Sequence, residues 1–136
     1  MNKHFVIATV CSFSLLTSAS LAAFPKSKVS ESQHLFAQSI IYHSLSGFCT
    51  NVAGNKSLSS DYQKWRVSYQ DSIKQGRIEV ADLAATMDKT MDSVVSDLVH
   101  VAEQEWGQMD SSQRQQKCQD LQAFLNQTKP EKPATY

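Results

Sequence analysis

The cysteines are the residues whose type and spacing point most directly to a chemistry. The chain has three, and Cys11 lies in a segment that we expect to be removed. Cys49 and Cys118 remain, and an even pair in an exported domain predicts a disulfide. This bond would close a loop of roughly 70 residues and stabilise the fold by about 4 kcal/mol in the chain-entropy model. A free thiol or a metal site is disfavoured, because no His or acidic residue lies at ligand spacing from either cysteine.

The methionines and histidines are the other candidate metal ligands. Met87 and Met91 stand one turn apart, and exported copper proteins use such thioethers. Both fall on the apolar face of a predicted helix, however, where methionine is ordinary core filler. His34 and His43 project to opposite sides of one predicted helix, and His100 falls on a polar face that we expect to be solvated. The sequence therefore predicts no metal site and no cofactor.

Catalytic patterns are absent from the sequence. It contains no G-x-S-x-G, no H-E-x-x-H, no Cys-x-x-Cys and no glycine-rich phosphate loop. Carboxylates are plentiful, but they fall on a predicted solvated face, where nothing prepares a carboxyl group for acid catalysis. We therefore expect a protein without catalytic residues that acts by binding and is not an enzyme.

Charge is unevenly distributed along the chain. The candidate basic binding face comprises Lys64, Arg66, Lys74 and Arg77, together with Trp65. The candidate acidic face comprises Asp82, Asp88, Asp92 and Glu103. One interpretation is a pair of neighbouring helices with complementary surfaces. The other is two faces available to a protein partner or, on the basic side, to anionic lipid headgroups.

Aromatic residues accompany the basic face. Tyr62, Trp65 and Tyr69 could line a ligand groove, but we expect them to pack the second predicted helix onto the first. The whole chain has 13 basic and 13 acidic side chains. Such a balance gives no global field that would attract nucleic acid.

The first 22 residues have the three-part pattern of a secretory signal peptide. A short positive start precedes an apolar run from Phe5 to Leu16, and small residues surround a cleavage point after Ala22. The run is too short to span about 30 Å of hydrocarbon. We therefore expect a periplasmic or extracellular protein with no membrane span.

Helical spacing of the apolar residues predicts an all-α fold, a small antiparallel four-helix bundle with one long-range disulfide. Residues 23–29 form a linker, 30–127 the helical domain and 128–136 a disordered tail. We expect helices over about 30–47, 60–75 and 78–106, and a fourth that carries Cys118. Capping boxes are predicted at Ser30 with Gln33 and at Asp110 with Gln113. Asn126 begins a glycosylation sequon, which matters only in a eukaryotic host.

Phe48-Cys49 ends one predicted helix, and Lys117-Cys118, followed by Leu121, lies in another. This layout of helices and cysteines resembles the helical pilotins of type II secretion systems. Most such pilotins are lipoproteins. This chain differs from them, because Ala8-Thr9-Val10 before Cys11 is not a lipoprotein signal. The favoured function is an exported helical interaction protein, such as a bacterial factor acting on a host. The alternatives are an anionic ligand or lipid-headgroup binder and, as the resemblance implies, a secretion accessory or chaperone-like protein.

Overall fold

The chain folds into α-helices throughout the part that the computed structural model describes, residues 29–52 and 55–127. The five helices there are α1 Glu31–Cys49, α2 Leu58–Ser68, α3 Gln70–Thr86, α4 Met91–Gln108 and α5 Ser111–Gln127. The all-α prediction is confirmed, whereas the antiparallel bundle arrangement stays a prediction. The predicted signal peptide, nearly all of the predicted linker and the predicted tail 128–136 lie outside the described residues. None of the described helices combines the length and the apolar character needed to cross a membrane.

The described residues form five helices where four were predicted, and the first difference involves Gly76. The expected helix over 60–75 is interrupted at Tyr69, which has a non-helical backbone (φ −109°, ψ 15°). α3 then continues through Gly76, which lies just beyond the expected end of the helix over 60–75. A β-carbon on Gly76 would lie 1.8 Å from the Ser32 carbonyl oxygen of α1. This glycine therefore allows two helices to approach closely, and it does not end one.

The second difference is a turn within the helix expected over 78–106. α3 ends in a Schellman motif, in which the amides of Asp88 and Lys89 donate to the carbonyls of Ala85 and Ala84 at 3.3 and 2.9 Å. Asp88 takes the left-handed conformation (φ 53°) that glycine usually supplies. Thr90 then caps α4 by accepting the Ser93 amide at 3.2 Å. The prediction of one continuous helix over 78–106 was wrong, because the helical spacing of the apolar residues continues on both sides of this turn.

The helix starts were predicted with mixed success. Both predicted capping boxes are present, with reciprocal hydrogen bonds between Ser30 and Gln33 and between Asp110 and Gln113. The predicted start of α2 at Ser60 is wrong, because the helix begins at the fully buried Leu58.

α1 is the central helix, as its broad apolar surface predicts, and it packs against each of the other four. The core cluster consists of Leu45, Cys49, Leu58, Tyr62, Trp65, Cys118, Leu121 and Leu125. The predicted disulfide joins Cys49 at the end of α1 to Cys118 in α5, and both cysteines have 0% exposure. The disulfide thus lies inside the core and fixes α5 against α1.

Candidate functional site

A groove of about 440 Å³ is lined by residues of α1, α2, α3 and α4, and we name it the basic groove. Its apolar lining includes Phe36, Ile40, Ile73, Met91, Val95 and Val99. Three basic side chains, Arg66, Lys74 and Arg77, also line it. Asp92 is the only carboxylate among the lining residues. The groove therefore combines an apolar surface with an excess of positive charge.

Two helices supply most of the apolar surface. Phe36 and Ile40 lie one turn apart on α1, and Met91, Val95 and Val99 recur every four residues along α4. Within the 18 residues of α4, Ala102 alone is buried, and the apolar α4 residues that line the groove, Met91, Val95 and Val99, are half-buried. The apolar face of α4 is therefore only partly covered by the rest of the described chain.

The basic side chains of the groove are exposed and weakly neutralised. Lys74 lies 3.9 Å from Asp71, and both side chains are highly exposed. In residues 29–52 and 55–127, Arg66 and Arg77 have no carboxylate within 4.0 Å. Burial raises the pKa of the Tyr62 phenol beneath them, and the positive charge of Arg66 opposes that rise. The groove thus keeps positive charge that an anionic group could meet.

The remaining members of the candidate basic face lie elsewhere. Lys64 does not line the groove, and its ammonium lies 3.7 Å from the Asp61 carboxylate. Trp65 is only 2% exposed and packs edge-on against Tyr42, with ring centroids 5.6 Å apart. Its Nε1 finds no hydrogen-bond acceptor among the described residues. Trp65 and Tyr62 therefore pack in the core, as expected from the sequence, and Tyr62 also lines the groove.

The candidate acidic face is divided by the turn between α3 and α4. Asp82 lies on α3, Asp88 in the turn, and Asp92 and Glu103 on α4. Asp92 lines the basic groove, whereas Glu103 lies 3.9 Å from the exposed His100 ring. The four carboxylates therefore do not share the face of one long helix.

The two methionines also lie at this turn and not in the centre of a helix. Met87 follows the last residue of α3 and is 38% exposed, and Met91 is the first residue of α4. Their prediction as core filler in mid-helix is wrong for Met87, because the turn brings it to the surface. In the described ranges, no group of three or more His, Cys, Asp and Glu side chains is placed to hold a metal ion.

A second pocket, of about 460 Å³, lies near the disulfide, and we name it the aromatic shelf. Phe48 and Trp106 line it, with ring centroids 5.4 Å apart. The Arg114 guanidinium lies 5.3 Å from the centroid of the Trp106 ring. Sequence reasoning missed this pocket because its residues come from α1, α4 and α5, and no pattern within one helix indicates it.

Known proteins supply no guide to the use of either pocket. Comparisons with protein-family models, with curated proteins and with solved structures find no match to this chain. The function is therefore inferred from the geometry of the basic groove and the aromatic shelf.

Proposed function

We propose that this chain is an exported, non-catalytic interaction protein whose basic groove binds an acidic amphipathic helix of a protein partner. One observation carries the proposal: half-buried apolar side chains of α4 and three basic side chains line the same groove. The amino-terminal signal pattern supports export. The buried pair Cys49–Cys118 also suits an oxidising compartment.

The dimensions of the groove favour a helical occupant. Its lining extends from Phe36 to Ser44 on α1 and from Met91 to Val99 on α4. Each stretch covers eight steps of a helix, or about 12 Å. An amphipathic helix of two to three turns presents apolar side chains at i, i+3, i+4 and i+7 over this length. These side chains would cover Val95 and Val99, which the chain itself leaves only half-buried.

The positive charge of the groove lining is the reason to expect an acidic partner. Carboxylates flanking the apolar stripe of the partner would meet Arg66, Lys74 and Arg77. Exposed ion pairs contribute only about 0.2–1 kcal/mol each, so most of the affinity would come from apolar burial. The basic side chains would mainly accelerate association and fix the orientation of the bound helix.

An anionic membrane would engage a different set of side chains. A flat headgroup layer contacts the cations that project furthest from the surface, and these include Lys64, whose side chain is 77% exposed. A helix seated in the groove does not need Lys64, because that residue lies outside the lining. Lys64 therefore discriminates between the two partners.

The test uses a labelled helical peptide with leucine at i, i+3, i+4 and i+7 and glutamate on both flanks, followed by fluorescence anisotropy. We expect R66E/K74E/R77E to weaken binding at least about tenfold. The matched control K56E/K64E reverses two exposed lysines outside the groove and should change affinity less than about twofold. The same peptide with lysine in place of glutamate should bind more weakly.

Three outcomes would contradict the proposal. The acidic peptide could fail to bind, the control variant could lose as much affinity as the groove variant, or the lysine peptide could bind equally well. Vesicles of phosphatidylglycerol provide the membrane comparison. If they bind the chain in a manner that K56E/K64E abolishes while the peptide does not bind, the membrane interpretation replaces the protein-partner interpretation.

A further inference from the structure

We infer that the aromatic shelf is a second binding site, which takes a small carboxylate with an attached aromatic or apolar group. This site goes beyond the proposed function, because the shelf shares no lining residue with the basic groove. The two sites can therefore be tested separately.

Arg114 is held in a fixed position at the shelf. Its guanidinium lies over the Trp106 ring, and its Nε donates a hydrogen bond to the Trp106 carbonyl oxygen at 3.1 Å. The side chain is half-buried between these contacts. An arginine already held by a stacking contact and a hydrogen bond loses less side-chain freedom when it binds a ligand.

The N–H groups on the two terminal nitrogens of Arg114 suit a carboxylate ligand. A guanidinium has five N–H groups, and the one on Nε is already used. Among the described residues, the other nitrogens of Arg114 make no hydrogen bond to the protein. Paired N–H groups of this kind bind the two oxygens of a carboxylate side by side. No carboxylate belongs to the described lining of the shelf that could occupy this position first.

The apolar part of the ligand would rest on the neighbouring rings. Phe48 and Trp106 are both half-buried, so each leaves ring surface accessible, and Val52 adds an aliphatic side chain beside them. A volume of about 460 Å³ lies within the usual range of small-molecule sites. Asn51 and Gln115 supply polar groups at the edge. A ring bearing a carboxylate on a short arm would contact the aromatic surface and Arg114 together.

Phenylacetate is the probe, and the indole N–H resonances of the two tryptophans are the readout in ¹H–¹⁵N NMR. Trp65 is buried in the core and serves as an internal reference. We expect the Trp106 resonance to shift with a dissociation constant on the order of 1 mM, while the Trp65 resonance stays in place. Phenylacetamide has the same shape without the charge and should bind at least about tenfold more weakly.

Substitutions separate the arginine contact from general charge. R114Q should lower the affinity for phenylacetate at least about tenfold, and R114K should fall between R114Q and the unmodified chain because it keeps only the charge. K117Q removes a positive charge from the same helix outside the shelf lining and should leave the affinity unchanged.

Several results would overturn the assignment. They are an unshifted Trp106 resonance at about 10 mM phenylacetate, equal binding of phenylacetamide, or equal losses in K117Q and R114Q. The phenylacetamide comparison uses the unmodified chain, so it decides the question even if the Arg114 variants unfold.

Discussion

Replacement of Gly76 by alanine tests the close approach of α3 to α1. An added β-carbon would lie 1.8 Å from the Ser32 carbonyl oxygen, 2.4 Å from the Ser32 carbonyl carbon and 3.0 Å from the Gln33 amide nitrogen. All three atoms belong to the backbone of α1, so no rotation of a side chain can relieve the overlap. α1 and α3 would have to move apart.

The size of the effect follows from two opposing terms. Carbon normally approaches other heavy atoms to about 3.5 Å, so the helices would separate by more than about 1 Å and lose packing contacts along their interface. Overpacking of this kind costs about 1–3 kcal/mol, and occasionally more. Alanine offsets about 1 kcal/mol of that cost because it favours the helical state over glycine. The overlap at 1.8 Å is with backbone atoms, so the cost lies at the upper end of that range, about 3 kcal/mol. After the offset of about 1 kcal/mol, we expect G76A to lower the free energy of unfolding by about 2 kcal/mol.

Urea unfolding followed by far-ultraviolet circular dichroism measures this difference. G47A and G107A are matched controls, because both glycines are helical and a β-carbon on either meets nothing within 4 Å. These controls should keep the stability of the unmodified chain or gain up to about 1 kcal/mol. If G76A were as stable as the controls, the close approach of α1 and α3 would be refuted.

Two further predictions concern the disulfide and Glu79. C49A/C118A should lower the free energy of unfolding by up to about 4 kcal/mol. Amide hydrogen exchange should show that α5 loses protection first, and an equal loss of protection in all helices would contradict this. The hydroxyl of Ser30 donates to the Glu79 carboxylate, and this bond, together with one from Gln75, lowers the pKa of Glu79 below 4.5. Folding therefore favours the ionised form of the Glu79 carboxylate, which adds to the free energy of unfolding above pH 4.5. This contribution is lost as the pH falls through the lowered pKa of the folded state. Unfolding midpoints of E79Q and the unmodified chain should differ at neutral pH and converge in acid, and a difference independent of pH would count against the hydrogen-bond explanation.

The sequence predicts those parts of the fold that depend on neighbouring residues. Ser30 and Asp110 cap their helices because each lies three residues before a glutamine that completes the box. The role of Gly76 cannot be predicted from its neighbours in the chain, because it depends on Ser32, a residue of another helix. The turn at Asp88 was missed because this residue adopts a backbone conformation in which glycine is the usual choice.

The basic groove could also be predicted only in part from the sequence. Clustering along the chain singled out four basic residues, and the structure brings Arg66, Lys74 and Arg77 to one groove but leaves Lys64 outside it. The apolar half of the groove could not be predicted, because it depends on how α4 lies against α1. Trp65 is of a residue type that often occurs in binding sites, yet the packing of α2 on α1 places it in the core.

The bond between Cys49 and Cys118 also determines what a protease could release from this protein. The two cysteines enclose α2, α3 and α4 in one covalent ring, and the exposed turn from Met87 to Thr90 belongs to that ring. A single cut in the turn would open the ring, but each fragment would keep one of the cysteines. The fragments would migrate as one species until reduced, and α4 would stay tethered to the helices with which it forms the basic groove.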